Sequence, residues 1–239
     1  MVVKMAGTYK KSEKIKIQER DTQIFNFLDR IGYANIQQIT HMLKNYTEAA
    51  ILRRLYLLRR FKYLKVFSTH LGYYYALDKL GKVQNCILKS INFDQIENHN
   101  FLVELFFSLT EFDVLTEREC IAKYKLIGRN GKIPDMIVND IIIEYERDNR
   151  TPSQSVDLVN YWTIQEQKTL CIICDNDAIK NRYIPHLNPK LRLLLKKDFT
   201  QLKYIITSPK AEAVKPVSEN NQVTLGRSQR VIDILNKYR

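Results

Sequence analysis

A turn of only two residues separates two apolar segments near the middle of the chain, residues 134–138 and 141–147. A connection this short joins antiparallel strands, so the two segments are predicted to form a β-hairpin. The first segment carries Asp135, and the second carries Glu144 and Glu146. Because successive side chains of a strand point to opposite faces, the two glutamates share one face. The hairpin is therefore predicted to bring three carboxylates together.

Neighbouring carboxylates repel one another and are costly to bury without a positive partner. A divalent cation is the usual remedy, and Mg²⁺ prefers hard oxygen ligands. We therefore take Asp135, Glu144 and Glu146 as candidate catalytic residues and as candidate ligands of Mg²⁺ or Mn²⁺. The alternatives are a strand-start role for Asp135 and a solvated edge strand for the glutamates. The apolar run before Glu144 is more typical of a central strand.

The overall composition is that of a soluble globular protein. The chain has 239 residues, 45% hydrophobic and 27% charged, enough for one large domain or two small ones. No apolar run approaches the roughly 18 residues of a membrane span, and no signal peptide is visible. We expect a cytoplasmic protein without membrane insertion.

The positive charge is concentrated in the N-terminal part of the chain. Residues 1–85 contain 16 Lys and Arg against 6 Asp and Glu, whereas the remaining residues contain 22 against 20. This asymmetry predicts that the N-terminal part binds a polyanion such as DNA. The alternative is a basic face that only keeps the protein soluble.

Three amphipathic helices are predicted in this basic part. The first covers Glu19–Ile31, where apolar residues recur at helical spacing, and it stops at Gly32. Asn35 can cap a second helix over Ile36–Leu43, and Thr47 can cap the third.

A β-hairpin is predicted after the third helix, with strands at Tyr63–Phe67 and Tyr73–Leu77. Three helices followed by a hairpin form the winged helix-turn-helix layout, in which the third helix lies in the major groove of DNA and the hairpin is the wing. Four arginines of the third helix are the predicted DNA-binding residues: Arg53, Arg54, Arg59 and Arg60. Phosphate contact is favoured over base reading for them. A helical module that docks another protein is the alternative.

The second half of the chain is predicted to alternate helices and strands. The elements are a helix over Ile96–Thr110, a strand over Val114–Tyr124, the acidic hairpin, a helix over Ser153–Gln167 and a strand over Lys168–Cys174. Cys171 and Cys174 are interpreted as buried reduced thiols, because residues three apart on a strand point to opposite faces. Beyond them, helical stretches are predicted within 178–197 and a last strand over Leu202–Thr207.

This order of elements, with Pro-Asp opening the second strand and Glu-x-Glu in the third, resembles the PD-(D/E)xK nuclease fold. In that superfamily an Asp and a Glu bind Mg²⁺ or Mn²⁺, and a third residue, usually Lys, assists the attacking water. The resemblance implies that Asp135 and Glu144 are the motif acids and that Glu146 stands where Lys is usual. Glu146 can be the proton acceptor if neighbouring charges raise its pKa, or Lys132 or Lys125 can be a displaced lysine.

A winged helix joined to such a core in about 240 residues resembles the C-class mobilization relaxases of plasmids, the replication-relaxation family. The carriers of the resemblance are Arg20-Asp21, Arg53-Arg54-Leu55, Gly72–Leu77 with Gly81, His99-Asn100, Pro134-Asp135 and Glu144-Tyr145-Glu146. The resemblance implies a metal-dependent enzyme that nicks DNA at a plasmid transfer origin. It also implies a coupling protein or an accessory relaxosome protein as a partner.

The fold class that follows is mixed α+β, with a winged helix-turn-helix before an αβββαβ nuclease-like core. The expected regions are a basic flexible N-terminus (1–16), the winged helix (17–90), the nuclease-like domain (91–208) and a tail with a short amphipathic helix (209–239). Two other functions stay open: a DNA-binding regulator of replication or transcription without cleavage, and a restriction-type endonuclease that cuts both strands.

Overall fold

Capping side chains fix the three N-terminal helices. The computed structural model describes residues 15–81, 95–124, 132–148 and 150–207. Its first helices are α1 (Glu19–Ile31), α2 (Ile36–Met42) and α3 (Glu48–Arg60). Asn35 Oδ1 accepts from the Gln38 N–H at 2.9 Å, and Thr47 Oγ1 accepts from the Ala50 N–H at 3.3 Å. Gly32, with φ +93°, ends α1. The predicted helices are confirmed to within one or two residues.

A small antiparallel sheet accompanies these helices. Its strands are β1 (Tyr33–Asn35), β2 (Leu64–Thr69) and β3 (Gly72–Leu77), in the order β1-β3-β2. The predicted hairpin is therefore confirmed, and β1 is an addition to it. Gly72 has φ +107°, which the tight turn between β2 and β3 requires and which glycine adopts without strain.

A five-stranded mixed sheet forms the rest of the fold. Its strands are β4 (Val114–Thr116), β5 (Met136–Val138), β6 (Ile141–Glu146), β7 (Thr169–Cys174) and β8 (Leu191–Leu195), in sequence order across the sheet. The first three strands are antiparallel, whereas β7 and β8 run parallel to β6 and to each other. The strand with the two glutamates is thus the central one.

Helices connect and cover these strands. They are α4 (Ile96–Ser108), α5 (Glu117–Tyr124), α6 (Pro152–Asn160), α7 (Asp177–Tyr183) and α8 (Leu202–Thr207). A π-helical turn, Tyr161–Gln165, continues α6. No helix among the described residues is long and apolar enough to cross a membrane. The protein is therefore of the mixed α+β class.

The strand predicted over Val114–Tyr124 is wrong beyond Thr116, because α5 begins at Glu117. Thr116 and Glu119 form a reciprocal cap: the Thr116 N–H donates to Glu119 Oε2 at 2.9 Å, and the Glu119 N–H donates to Thr116 Oγ1 at 3.5 Å. This Thr-x-x-Glu pattern is a sequence signature of a helix start.

Two predictions near the C-terminal end are also wrong. Residues 191–195 form β8 instead of a helical stretch, because their parallel pairing with β7 extends the sheet. Residues 202–207 form α8 instead of a strand: Leu202 and Ile206, four residues apart, are both buried while Tyr204 between them is exposed, which is the helical period. The predicted tail, 209–239, lies outside the described residues.

One hydrophobic cluster joins the helical part to the five-stranded sheet. It contains buried residues of α1, such as Leu28, together with Val138 of β5, Ile143 of β6 and Leu202 of α8. The predicted border between residues 90 and 91 lies outside the described residues. Cys120, Cys171 and Cys174 are buried free thiols, as predicted for the latter two, and burial raises the pKa of each to about 12.

Candidate active site and nucleic-acid interface

The register of β5 and β6 brings Asp135 beside the glutamates. Met136 pairs with Ile143, so the next position places Asp135 alongside Glu144. Asp135 Oδ2 accepts a hydrogen bond from the Tyr145 N–H at 2.8 Å, which holds the Asp135 side chain against β6 just before β5 begins. The sequence prediction that these two carboxylates are neighbours is therefore met in the structure.

Glu144 and Glu146 lie on the same face of β6, and each is only 1% exposed. Both contact Arg150, a residue that the sequence analysis did not single out. Arg150 Nη2 lies 2.9 Å from Glu144 Oε2, and Arg150 Nη1 donates to Glu146 Oε2. The Tyr183 hydroxyl also donates to Glu146 Oε2, at 3.1 Å. One guanidinium thus bridges both buried carboxylates, an arrangement that supplies part of the charge they need.

The second oxygen of Glu144 has no hydrogen-bond partner although it is buried. A buried carboxylate oxygen without a partner costs free energy, because it has lost its water and gained nothing in return. This atom, Oε1, is the one at which a donor or a cation would recover that loss.

Burial raises the pKa of Asp135 and of Glu144. It raises the pKa of Glu144 to about 8, with the neighbouring Asp135 adding to the shift and Arg150 opposing it. Burial also raises the pKa of Asp135 to about 6. The Tyr145 N–H and Arg150 favour the ionised form and oppose this shift. Both groups therefore keep their protons to a higher pH than free carboxyl groups do, which lowers the repulsion between them.

The fit of a metal ion depends on Arg150. Within the residues that the structure describes, no group of three or more His, Cys, Asp or Glu side chains is arranged as a metal site. The oxygen donors suit Mg²⁺ or Mn²⁺ in kind, and Glu144 Oε1 is available, but Arg150 already bridges Glu144 and Glu146. These oxygen donors therefore fit a hard cation only if the cation displaces the Arg150 guanidinium and neutralises Glu144 and Glu146 in its place.

Lys132, one of the two candidate displaced lysines, lies within electrostatic reach of this cluster. Burial lowers the pKa of its ammonium, and the charges of Asp157 and Glu144 oppose that shift. Its Nζ stands 6.0 Å from the ring centroid of Tyr161. The other candidate, Lys125, falls outside the described residues.

Three of the four arginines proposed for DNA contact, Arg53, Arg59 and Arg60, are exposed on α3. The prediction that Arg54 contacts DNA at the surface is wrong. It is 7% exposed, its Nε and Nη2 lie 2.8 and 2.5 Å from the two oxygens of the fully buried Asp21, and Nη2 also donates to the Lys16 carbonyl. The physical reason is that Asp21 in α1 must be neutralised, so Arg54 faces inward to join α3 to α1.

Comparisons with protein-family models, with curated proteins and with solved structures return no match to this chain.

Proposed function

We propose that this protein is a metal-dependent DNA nicking enzyme, a relaxase that acts at a plasmid transfer origin. The observation that carries the proposal is the pairing of Asp135 with Glu144, whose Oε1 is buried and unpartnered, on the central strand of the sheet. The order of α4, β4, β5, β6, α6 and β7 supports a PD-(D/E)xK-like core, with α5 inserted after the first strand.

In this proposal Asp135 and Glu144 hold Mg²⁺ or Mn²⁺, and Glu146 is a further ligand or the proton acceptor. A bound divalent ion would supply Lewis-acid polarisation of the scissile phosphate and a lower pKa for the attacking water. Arg150 neutralises the two glutamates when no cation is present, so it stabilises the fold with both carboxylates buried before a metal ion binds. Enclosure of Glu144 and Glu146 also limits the access of bulk water to the centre.

DNA binding is assigned to the N-terminal helices and hairpin, acting as a winged helix. The support is the exposure of Arg53, Arg59 and Arg60 on α3 and the excess of basic residues in this part of the chain. Their guanidinium groups can pair with phosphate oxygens in a bidentate manner and so position the duplex without reading its sequence.

A second candidate function is a DNA-binding regulator that retains the nuclease-like sheet without cleaving DNA. The bridge from Arg150 to both glutamates favours it, because a guanidinium that stays in place occupies Oε2 of Glu144 and Oε2 of Glu146, which a metal would otherwise bind. A restriction-type endonuclease is a third candidate, and it shares every feature of the proposed centre.

A plasmid assay separates the three candidates. Purified protein is incubated with Mn²⁺ or Mg²⁺ and a supercoiled plasmid carrying the DNA that flanks its coding sequence. Relaxed circles support the relaxase, linear product the endonuclease and unchanged plasmid the regulator. The site is tested with Asp135→Asn and Glu144→Gln, each of which should slow relaxation at least about a hundredfold. Asp140→Asn is the matched control, because Asp140 lies in the same hairpin with a side chain 96% exposed.

A further inference from the structure

A cleft of about 460 Å³ lies between the C-terminal end of α3 and strand β2. Its polar and aromatic lining consists of Tyr56, Arg59, Arg60, Lys62, Lys65 and Asp78. The cleft is open to solvent, so it suits part of a polymer strand better than an enclosed small molecule. Four cations among six such residues indicate that the ligand carries negative charge.

An exposed aromatic ring distinguishes this cleft from a plain phosphate site. The Tyr56 side chain is 63% exposed, although aromatic rings are normally placed where they bury area. An open tyrosine ring beside several cations is the combination that binds unpaired nucleic-acid bases by stacking.

The carboxylate of Asp78 also argues for a nucleotide and against phosphate alone. An acid would repel a bare anion, but a carboxylate can accept hydrogen bonds from the amino groups of bases. One oxygen of Asp78, Oδ1, accepts from the Lys79 N–H at 2.8 Å, which orients the group. The lining thus offers stacking, phosphate pairing and a base-edge acceptor in one cleft.

Lys62 occupies the cleft at a conformational cost. Its φ is +64°, in the left-handed region where helices usually place glycine after their last turn. The N–H groups of Lys62 and Tyr63 donate back to the carbonyls of Arg59 and Leu58, which closes α3. A glycine would adopt this backbone without strain, so Lys62→Gly removes the side chain from the cleft without disturbing the fold.

We propose that the cleft between α3 and β2 binds an unpaired nucleotide of a DNA strand, with the base on Tyr56 and the phosphates on Arg59 and Lys62. The inference deepens the proposed function, on which it rests: a nicking enzyme meets single-stranded DNA beside the cleaved bond. Bases inside a duplex are not accessible to a stacking ring, so the cleft gives the protein a preference for unpaired DNA that α3 arginines alone would not give.

Fluorescence anisotropy with labelled oligonucleotides tests the inference on the full chain, in EDTA so that no cleavage occurs. The probes are a mixed-sequence single strand and the duplex made from it, at the same salt concentration. Tyr56→Ala should weaken single-strand binding by at least about fivefold and leave duplex binding unchanged. Tyr56→Phe should retain wild-type affinity, because it keeps the ring. Tyr204→Ala is the matched control, since Tyr204 on α8 is equally exposed, at 66%.

A second variant separates binding from folding. Lys62→Gly should raise the melting temperature, because it relieves the left-handed strain, and should still weaken single-strand binding. Unchanged single-strand affinity in Tyr56→Ala, or an equal loss on single strand and duplex, would overturn the inference alone. If the wild-type protein binds neither probe, the DNA-binding part of the proposed function fails together with it.

Discussion

Replacing Arg150 by glutamine tests the electrostatic account of the carboxylate centre. The change removes the guanidinium that bridges Glu144 and Glu146, both 1% exposed, while Tyr183 keeps its hydrogen bond to Glu146. Loss of one partner of a buried ion pair costs roughly 3–5 kcal/mol. Arg150 itself is 26% exposed, and Glu144 can take a proton because burial raises its pKa to about 8. We therefore expect a loss near the lower limit, about 3 kcal/mol at pH 7.

The assay is urea unfolding of Arg150→Gln and wild type in EDTA and in Mn²⁺. Arg147→Gln is the matched control, because the acid that Arg147 pairs with, Glu97, is 53% exposed and stays hydrated when the arginine is lost, so the pair is worth at most about 1 kcal/mol. Mn²⁺ should stabilise Arg150→Gln by about 2.7 kcal/mol at a concentration 100 times the variant's Kd, and should stabilise wild type less, because there the cation competes with the Arg150 guanidinium. Equal stability of Arg150→Gln and wild type in EDTA would refute the ion-pair argument. Equal stabilisation of both by Mn²⁺ would refute competition between Arg150 and the metal.

Three further predictions concern other charged groups. The apparent Mn²⁺ affinity of the wild type, measured by calorimetry, should rise as the pH increases from 6 to 8, because Glu144 must lose its proton to bind metal; a flat profile would contradict its role as a ligand. Arg54→Gln should lower the free energy of unfolding by about 3 kcal/mol, because it leaves the buried Asp21 without its partner. Arg53→Gln should change stability little, but it should weaken duplex binding and reduce the salt dependence of that binding. The reverse pattern would refute the assignment of these arginines. Burial lowers the pKa of His99 to about 4, so the unfolded chain binds a proton at this imidazole at a higher pH than the folded chain does. The free energy of unfolding should therefore fall as the pH is lowered from about 6.5 toward 4, and the fall should be smaller in His99→Gln. An equal fall in both proteins would contradict the assignment.

The local elements were predictable where a short-range signal sets them. The bounds of α1 to α3 follow from Gly32, Asn35 and Thr47, whose side chains or backbone conformation act within a few residues. The start of α5 had an equally local signal, the Thr116 and Glu119 pair, which the apolar content of the segment concealed. The strand β8 had no such signal, because its state is set by pairing with β7 and not by its own sequence.

Long-range charge pairing was the part that the sequence could not supply. The pattern places Arg54 among the DNA-binding residues, and only the packing of α1 on α3 brings it to Asp21, 33 positions away. Arg150 is closer in sequence, four residues after Glu146, but it lies outside β6, and no local pattern indicates that its guanidinium reaches both acids. The neighbouring positions of Asp135 and Glu144, in contrast, follow from the two-residue turn alone.

The rate at which supercoiled plasmid is relaxed in Mn²⁺ tests the central claim most directly. We expect single nicks by the wild-type protein and by Asp140→Asn at similar rates. Glu144→Gln should be at least about a hundredfold slower, because even residues that only support a metal ligand contribute roughly 10- to 100-fold. Relaxation by Glu144→Gln at the wild-type rate, or relaxation by the wild type that persists in EDTA, would contradict a metal-dependent nicking centre at these carboxylates.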